Sequence, residues 1–287
     1  MIIWLASYPK SGNTWVRAFI SSVIYSENGV MNKKLWESIQ QFPIPRNFDG
    51  LISNRDVFYL KKKEHISTLC EHLITAQDKL NLDNKIKFLK THFLNCKIDK
   101  HNFTDQTNTL GTIHIVRDPR NIITSLKNHF SLNNYNDACE FLFNEQNWIF
   151  RNDEKDLLYA PTLISSWSTH YNMWKQSKKN YLLIKYENLI NNPLREFEKI
   201  KIFIEGLLKV KIDTKKFKNA ITSSSFDNLK KMEDQNEFFE NSIGKDNRKI
   251  NFFKLGKNNK WENLLNINLI NKIEKKFFKE MKELEYI

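Results

Sequence analysis

Cysteine is scarce in this 287-residue chain. Cys70, Cys96 and Cys139 are odd in number, scattered, and form no C-x-x-C pair. That argues against a disulfide framework and predicts reduced, partly buried thiols in a cytoplasmic protein. No His, Cys or carboxylate cluster has metal-ligand spacing, so no metal is expected. Long apolar runs are missing too: none approaches the roughly 20 residues needed to cross a bilayer. No secretory leader is expected, because a polar loop begins within ten residues of Met1. Arginine is sparse beside lysine. The net charge of +12 therefore reads as lysine-rich solvated faces rather than an arginine-and-aromatic groove, and no nucleic-acid partner is expected. Such a charge still draws anionic ligands from a distance. Internal repeats, low-complexity linkers and clear boundaries are also lacking, so a single domain over residues 1–287 is expected.

What is present is a large core and a regular alternation. The chain is 40% hydrophobic and 13% aromatic, enough to bury most of its unfolded surface. Short aliphatic runs at residues 2–6, 86–90, 112–116 and 181–185 predict strands. Between them, Phe19, Ile20 and Val23 mark one helix. Ile122, Ile123 and Leu126 mark another after Pro119, and Trp167, Tyr171 and Trp174 mark a third after Pro161. Both prolines are read as first-turn positions. Residues 269–284 read as a lysine- and glutamate-rich amphipathic helix. The fold class expected is α/β, a central parallel sheet flanked by helices. In such sheets ligands bind beyond the carboxyl ends of the strands, and each predicted strand is followed by a polar cluster. The irregular stretch 27–79 is read as a cap or acceptor lobe.

The first cluster is Tyr8-Pro9-Lys10-Ser11-Gly12-Asn13-Thr14-Trp15, placed between strand and helix. Backbone N–H groups and the positive end of the helix dipole converge at such a place, Lys10 adds a charge, and Ser11 and Thr14 add hydroxyl donors. A phosphate or sulfate group suits it. A Walker A loop has its Lys after the second Gly and beside Ser or Thr. Here Lys10 precedes the only Gly of the loop, which weakens a kinase or NTPase reading. The bland alternative is a capped strand-to-helix turn.

Arg117 ends the third strand, and Ser125 lies eight residues on, one to two turns into the next helix. A guanidinium and a hydroxyl so placed can share one phosphate. An Arg–Asp surface pair beside a small buried Ser accounts for them equally well. Lys90-Thr91-His92 closes the second strand. A His with an ordinary pKa of about 6.5 can take a proton from an attacking hydroxyl, although a lone His is more often structural. His114, in mid-strand, is read as such a structural residue.

Together these residues resemble the sulfotransferases that use 3′-phosphoadenosine 5′-phosphosulfate (PAPS). The first cluster is similar to that family's Y-P-K-S-G-T-T-W loop, with Asn13 as the one departure. Lys90-Thr91-His92 resembles its K-T-H element, and Arg117 with Ser125 resembles its 3′-phosphate pair. Tyr186 and the segment Ser224-Ser225-Phe226 with Leu229 resemble its adenine-side residues. Phe253-Lys254-Leu255-Gly256, with Trp261 beyond, is similar to its F-x-R-K-G…W segment, although Leu255 stands where the family has a basic residue.

The resemblance implies a P-loop-like fold and in-line transfer of a sulfonate group from PAPS to a small-molecule hydroxyl or amine, without a metal. It implies His92 as base, with Lys10 and Lys90 as the other catalytic groups. Lys10, Ser11, Gly12, Asn13 and Thr14 would hold the 5′-phosphosulfate, and Trp15 would stack on adenine. Arg117, Ser125, Lys254 and Gly256 would lie at the 3′-phosphate, and Tyr186, Ser224 and Leu229 near adenine. The alternatives are a P-loop kinase or NTPase, or a nucleotide-binding protein of the same fold without activity. Aromatics at 35–59 and 141–159 suit an apolar acceptor or ordinary core alike.

Overall fold

Ile2-Ile3-Trp4-Leu5-Ala6-Ser7 is buried at every position. An unbroken apolar run of that kind suits a strand covered on both faces, as parallel sheets require. The computed structural model describes residues 1–53, 55–58, 61–150, 160–177, 179–238, 240, 242–243, 249–253, 256 and 259–287. Its main sheet has five strands, numbered in chain order: β1 (Ile2–Ser7), β2 (Gln40–Gln41), β3 (Lys87–Thr91), β4 (Thr109–Val116) and β5 (Tyr181–Lys185). Their spatial order is β2-β3-β1-β4-β5. β1 runs parallel to β3 in a register that sets Ala6 against Thr91, and β2 runs parallel to β3 on its other side. Helices lie in the connections from β1 to β2, β2 to β3 and β4 to β5, as the alternation predicts; β3 and β4 are joined without one, through the antiparallel pair Lys97–Ile98 and His101–Asn102.

The chain divides into two compact units. One comprises residues 1–8, 39–114 and 145–183, the other 9–38, 115–144 and 184–287. In the first unit Trp4 is fully buried against Phe42, Phe103 and Trp174, at ring-centroid distances of 5.6, 5.2 and 6.4 Å. Its indole N–H donates to Thr109 Oγ1 at 3.0 Å, and that of Trp174 donates to the Phe93 carbonyl at 2.9 Å. Both large rings thus bury their surface without orphaning a donor. In the second unit the helix Asn13–Tyr25 stacks Phe19 on Phe197 at 4.1 Å. A second cluster gathers Ala18, Trp36, Leu229, Met232, Phe238 and Phe253.

Three elements depart from the sequence expectations. β2 is two polar residues long, too short for any periodicity to announce it. Pro161 does not open a helix: it precedes the short strand Thr162–Leu163. The helix Trp167–Lys175 is instead started by Ser166, whose hydroxyl accepts the Thr169 N–H. The terminal helix is broken at Phe277 into Ile267–Lys276 and Phe278–Glu283. Phe277 is fully buried, and burial of its ring outweighs helical continuity. The cysteines match their expectation in part. Cys70 and Cys139 are buried and Cys96 half-buried, with desolvation pushing their thiols up to about 12, 11 and 11 respectively. Among the described residues no helix is long and apolar enough to cross a membrane.

Candidate functional site

The loop after β1 belongs from Pro9 onward to the second unit. Lys10 has φ 68°, a left-handed backbone that costs a non-glycine residue about 1–2 kcal/mol. Strain of that kind concentrates where function needs it. Gly12, at φ 99°, is the cap residue of the helix Asn13–Tyr25. A Cβ at Gly12 would come within 2.4 Å of the Tyr186 ring, so both its backbone and its space demand glycine. Its carbonyl accepts the Trp15 and Val16 N–H groups at 3.1 and 3.3 Å.

Arg117 and Tyr186 close on this loop. The Arg117 guanidinium donates from Nη1 to the Lys10 carbonyl at 2.9 Å and lies 4.2 Å from the Tyr186 ring centroid. The Arg–Asp pair considered above therefore forms with a different arginine. Arg120 carries it, donating from Nε and Nη2 to the Asp118 carboxylate at 2.6 to 3.1 Å. Arg120 also donates to Glu274 at 2.5 Å and to the Tyr286 carbonyl at 2.7 Å. Asp118 caps the helix Pro119–His129, and its N–H donates to Glu187 Oε1 at 2.9 Å. Desolvation raises the Glu187 carboxyl above its ordinary range, against the pull of its hydrogen bonds and of Arg117. Burial likewise raises the Tyr286 hydroxyl, which donates to Glu187 Oε2 at 3.1 Å.

Among the described residues, four buried donor atoms in and beside the loop have no hydrogen-bond partner: Ser11 Oγ, Trp15 Nε1, Arg17 Nε and Arg117 Nε. Ser11 and Arg117 are only 0% and 6% exposed. Each orphaned donor costs about 1–3 kcal/mol, and an anionic oxygen would satisfy both types. Ser125 is half-buried on the second turn of Pro119–His129. The same helix fastens residues 259–261: Thr124 donates to Asn259 Oδ1 at 2.7 Å, and Trp261 N–H to Asn121 Oδ1 at 3.1 Å.

The remaining sequence candidates of this unit fall as follows. Asn13 and Thr14 are buried in the first helical turn. Trp15 is half-buried, with its ring edge-on to Tyr186 and Phe197 at 6.2 and 5.7 Å. The Ser224 hydroxyl donates to the Ala220 carbonyl at 2.7 Å, and Leu229 is buried in the aromatic cluster. In this conformation both side chains serve the protein interior. Gly256, at φ 50°, packs under the Phe226 ring. Lys254 and Leu255 lie outside the described residues.

Lys90 and His92 belong to the first unit. Lys90 is 6% exposed on β3, and its carbonyl accepts the Phe42 N–H at 2.8 Å. His92 Nδ1 lies 2.7 Å from the Ser7 carbonyl. A carbonyl only accepts, so Nδ1 carries a proton, and in the neutral ring Nε2 then carries the lone pair. This is the tautomer that a proton acceptor needs. Behind it, His170 donates from Nε2 to the His92 carbonyl at 3.2 Å. His170 was not a sequence candidate, although its spacing with Trp167, Tyr171 and Trp174 sets it on the buried face of its helix. Of the aromatics offered for the acceptor, Phe42, Phe48 and Phe58 are core residues, and Trp36 is buried in the other unit. Residues 151–159 lie outside the described residues.

Burial holds His170 neutral, its pKa pushed down to about 3, and pushes His114 down in the same direction. Between pH 6.5 and 3 the unfolded chain binds a proton on His170 that the folded chain refuses. Stability is therefore full above pH 6.5 and falls as the medium is acidified. At pH 5 the loss from His170 alone comes to about 2 kcal/mol. Urea midpoints at pH 7 and pH 5 should differ less in His170→Gln than in the parent chain. An equal difference would mean that the ring is not held neutral.

The residues described match a known domain. The model of the sulfotransferase domain family matches residues 2–285. Sulfotransferase 1B1 of Canis lupus familiaris is 25% identical over 97% of this chain and 83% of its own. The structure of mouse sulfotransferase SULT7A1 complexed with PAP aligns with TM-score 0.54 at 18% identity, covering 97% of this chain and 83% of that one. Retinol dehydratase in complex with androsterone and PAP aligns with TM-score 0.60 at 16% identity, covering 98% and 80%. By the reach of the family match, which spans nearly every residue, the chain belongs to the sulfotransferase family.

Proposed function

We propose that the chain transfers a sulfonate group from PAPS to a hydroxyl or amine of a small molecule, with His92 as general base. The observation that carries the donor half is two of the buried, unpartnered donors, Ser11 Oγ and Arg117 Nε, beside a helix N-terminus. A ligand bearing phosphate oxygens answers both. Lys10 and the loop amides would hold its 5′ end. Arg117, Ser125, Gly256 and Lys254 would hold the 3′-phosphate, with Trp15, Tyr186, Ser224 and Leu229 toward adenine. PAPS supplies an activated sulfonate, whose bridging oxygen departs on adenosine 3′,5′-bisphosphate.

The chain's own groups do the rest. His92 Nε2 takes the acceptor proton as the acceptor atom bonds to sulfur. Lys90 balances charge on the transferring oxygens, and Lys10 balances the charge gathering on the leaving oxygen. The donor set is cationic and hydroxylic, so the reading needs no metal. Retinol dehydratase holds androsterone and PAP, which supports a small molecule as acceptor.

Thermal melting separates this from the kinase reading. At a hundredfold excess over its dissociation constant, adenosine 3′,5′-bisphosphate should stabilise the fold by about 2.7 kcal/mol, or about 5 °C in a chain of this size. ATP with magnesium should give a much smaller shift. The reverse ranking would favour the kinase.

A further inference from the structure

The helix Phe226–Asp234 carries a buried carboxylate that the account above does not use. Glu233 is 1% exposed. Its Oε1 accepts the Phe252 N–H at 2.6 Å and its Oε2 accepts the Phe253 N–H at 2.9 Å. Both oxygens thus grip consecutive backbone amides of one short segment. Burying a carboxylate is costly unless such bonds compensate it, and a side chain that only filled space would do so better without a charge. The segment it grips has a second feature. The Phe252 ring centroid lies 3.9 Å from Lys10 Nζ, a cation–π contact at the strained loop residue. Phe252 and Phe253 are wedged against Phe238, with centroids 5.1 Å away in each case. Glu240, two residues beyond Phe238, pairs with Arg17 of the loop's own helix at 2.6 Å.

We infer that Glu233 is a positioning residue for Lys10: by clamping the backbone of residues 252 and 253 it fixes the Phe252 ring as the seat of the Lys10 ammonium. The clamp sets where the loop's full charge stands before the donor's 5′ end arrives. Specificity for that end, rather than nucleotide affinity in general, is then what Glu233 controls. Nothing in the sequence near Glu233 marks it, because its partners lie some twenty residues away.

The inference rests on the reading of Lys10 as the residue that grips the 5′ group, and its test separates the two. Calorimetry on the full chain would compare adenosine 3′,5′-bisphosphate with adenosine 3′-monophosphate, which lacks the 5′-phosphate. Lys10→Met should reduce the preference for the bisphosphate. Glu233→Gln keeps the volume but leaves one amide facing an NH2 group. Phe252→Leu keeps an apolar side chain but removes the ring. Each should reduce the preference by about fivefold to tenfold, with the monophosphate constant unchanged. In a Lys10→Met background Glu233→Gln should reduce it no further.

Equal weakening of both nucleotides would make Glu233 a structural residue and overturn the inference, and so would an unchanged preference in Phe252→Leu. The second variant decides the matter if Glu233→Gln does not fold. Should Lys10→Met itself leave the preference intact, the reading of Lys10 falls and the inference with it. Should Lys10→Met reduce it while neither other variant does, the inference alone falls.

Discussion

His92→Ala is expected to lower turnover by about a hundredfold or more while leaving the dissociation constant of adenosine 3′,5′-bisphosphate within about twofold. The expectation follows from where the ring is held. The Ser7 carbonyl accepts the Nδ1–H of His92 at 2.7 Å, which in the neutral ring leaves the lone pair on Nε2. His170, kept neutral by burial, donates to the His92 carbonyl and steadies the end of β3 without adding a charge. The contacts of Arg117 with the Lys10 carbonyl and the Tyr186 ring do not involve His92, so its removal should spare their hold on a nucleotide. Steady-state kinetics and calorimetry on the same preparation would check both halves. A parallel loss of turnover and of nucleotide affinity would demote His92 to a structural residue.

Arg120→Ala is expected to destabilise the fold by about 3–5 kcal/mol, the cost of leaving a buried charge uncompensated. The Arg120 and Asp118 side chains are each 6% exposed. Arg120 holds Asp118 through a fork, and it also holds Glu274 and the carbonyl of Tyr286. It lies 4.0 Å from the Trp261 ring centroid as well. Removing it strands the Asp118 carboxylate, which caps the helix carrying Ser125, and unties the chain around Tyr286 from that helix. Urea denaturation would measure the loss. A change below about 1 kcal/mol would mean that the cluster relaxes into water and does not brace the site. Asp118→Asn, which keeps an oxygen for the cap, should cost less than Arg120→Ala.

The parts that were legible in the sequence are those whose cause is local. The loop from Tyr8 to Trp15 reads directly because strand, glycine and helix follow one another within a few residues. The apolar runs announce β1, β3, β4 and β5, and Pro119 announces a helix start that Asp118 caps. The parts that were not legible depend on distant partners. Arg117 and Arg120 are nearly adjacent. Which of them pairs with Asp118, and which turns to the Lys10 carbonyl, is settled by Tyr186, Glu274 and Tyr286, far along the chain. Glu233 looks like any helical glutamate until residues 252 and 253 meet it. Pro161 obeyed a strand rather than the first-turn rule, because Ser166 supplies a better cap nearer the apolar face of the following helix. His170 could have been found: its place at the i+3 position from Trp167 sets a histidine among buried rings, where it must donate to something.

The central claim is sulfonate transfer from PAPS through His92. The direct measurement is a single-turnover incubation of the full chain with PAPS carrying radiolabelled sulfate and a panel of small hydroxyl and amine compounds, run beside His92→Ala. The account predicts a labelled acceptor and stoichiometric adenosine 3′,5′-bisphosphate from the parent chain, with at least a hundredfold slower appearance of both from the variant. Label transferred at equal rates by the two proteins would contradict it, and so would tight binding of PAPS with no labelled acceptor from any member of the panel.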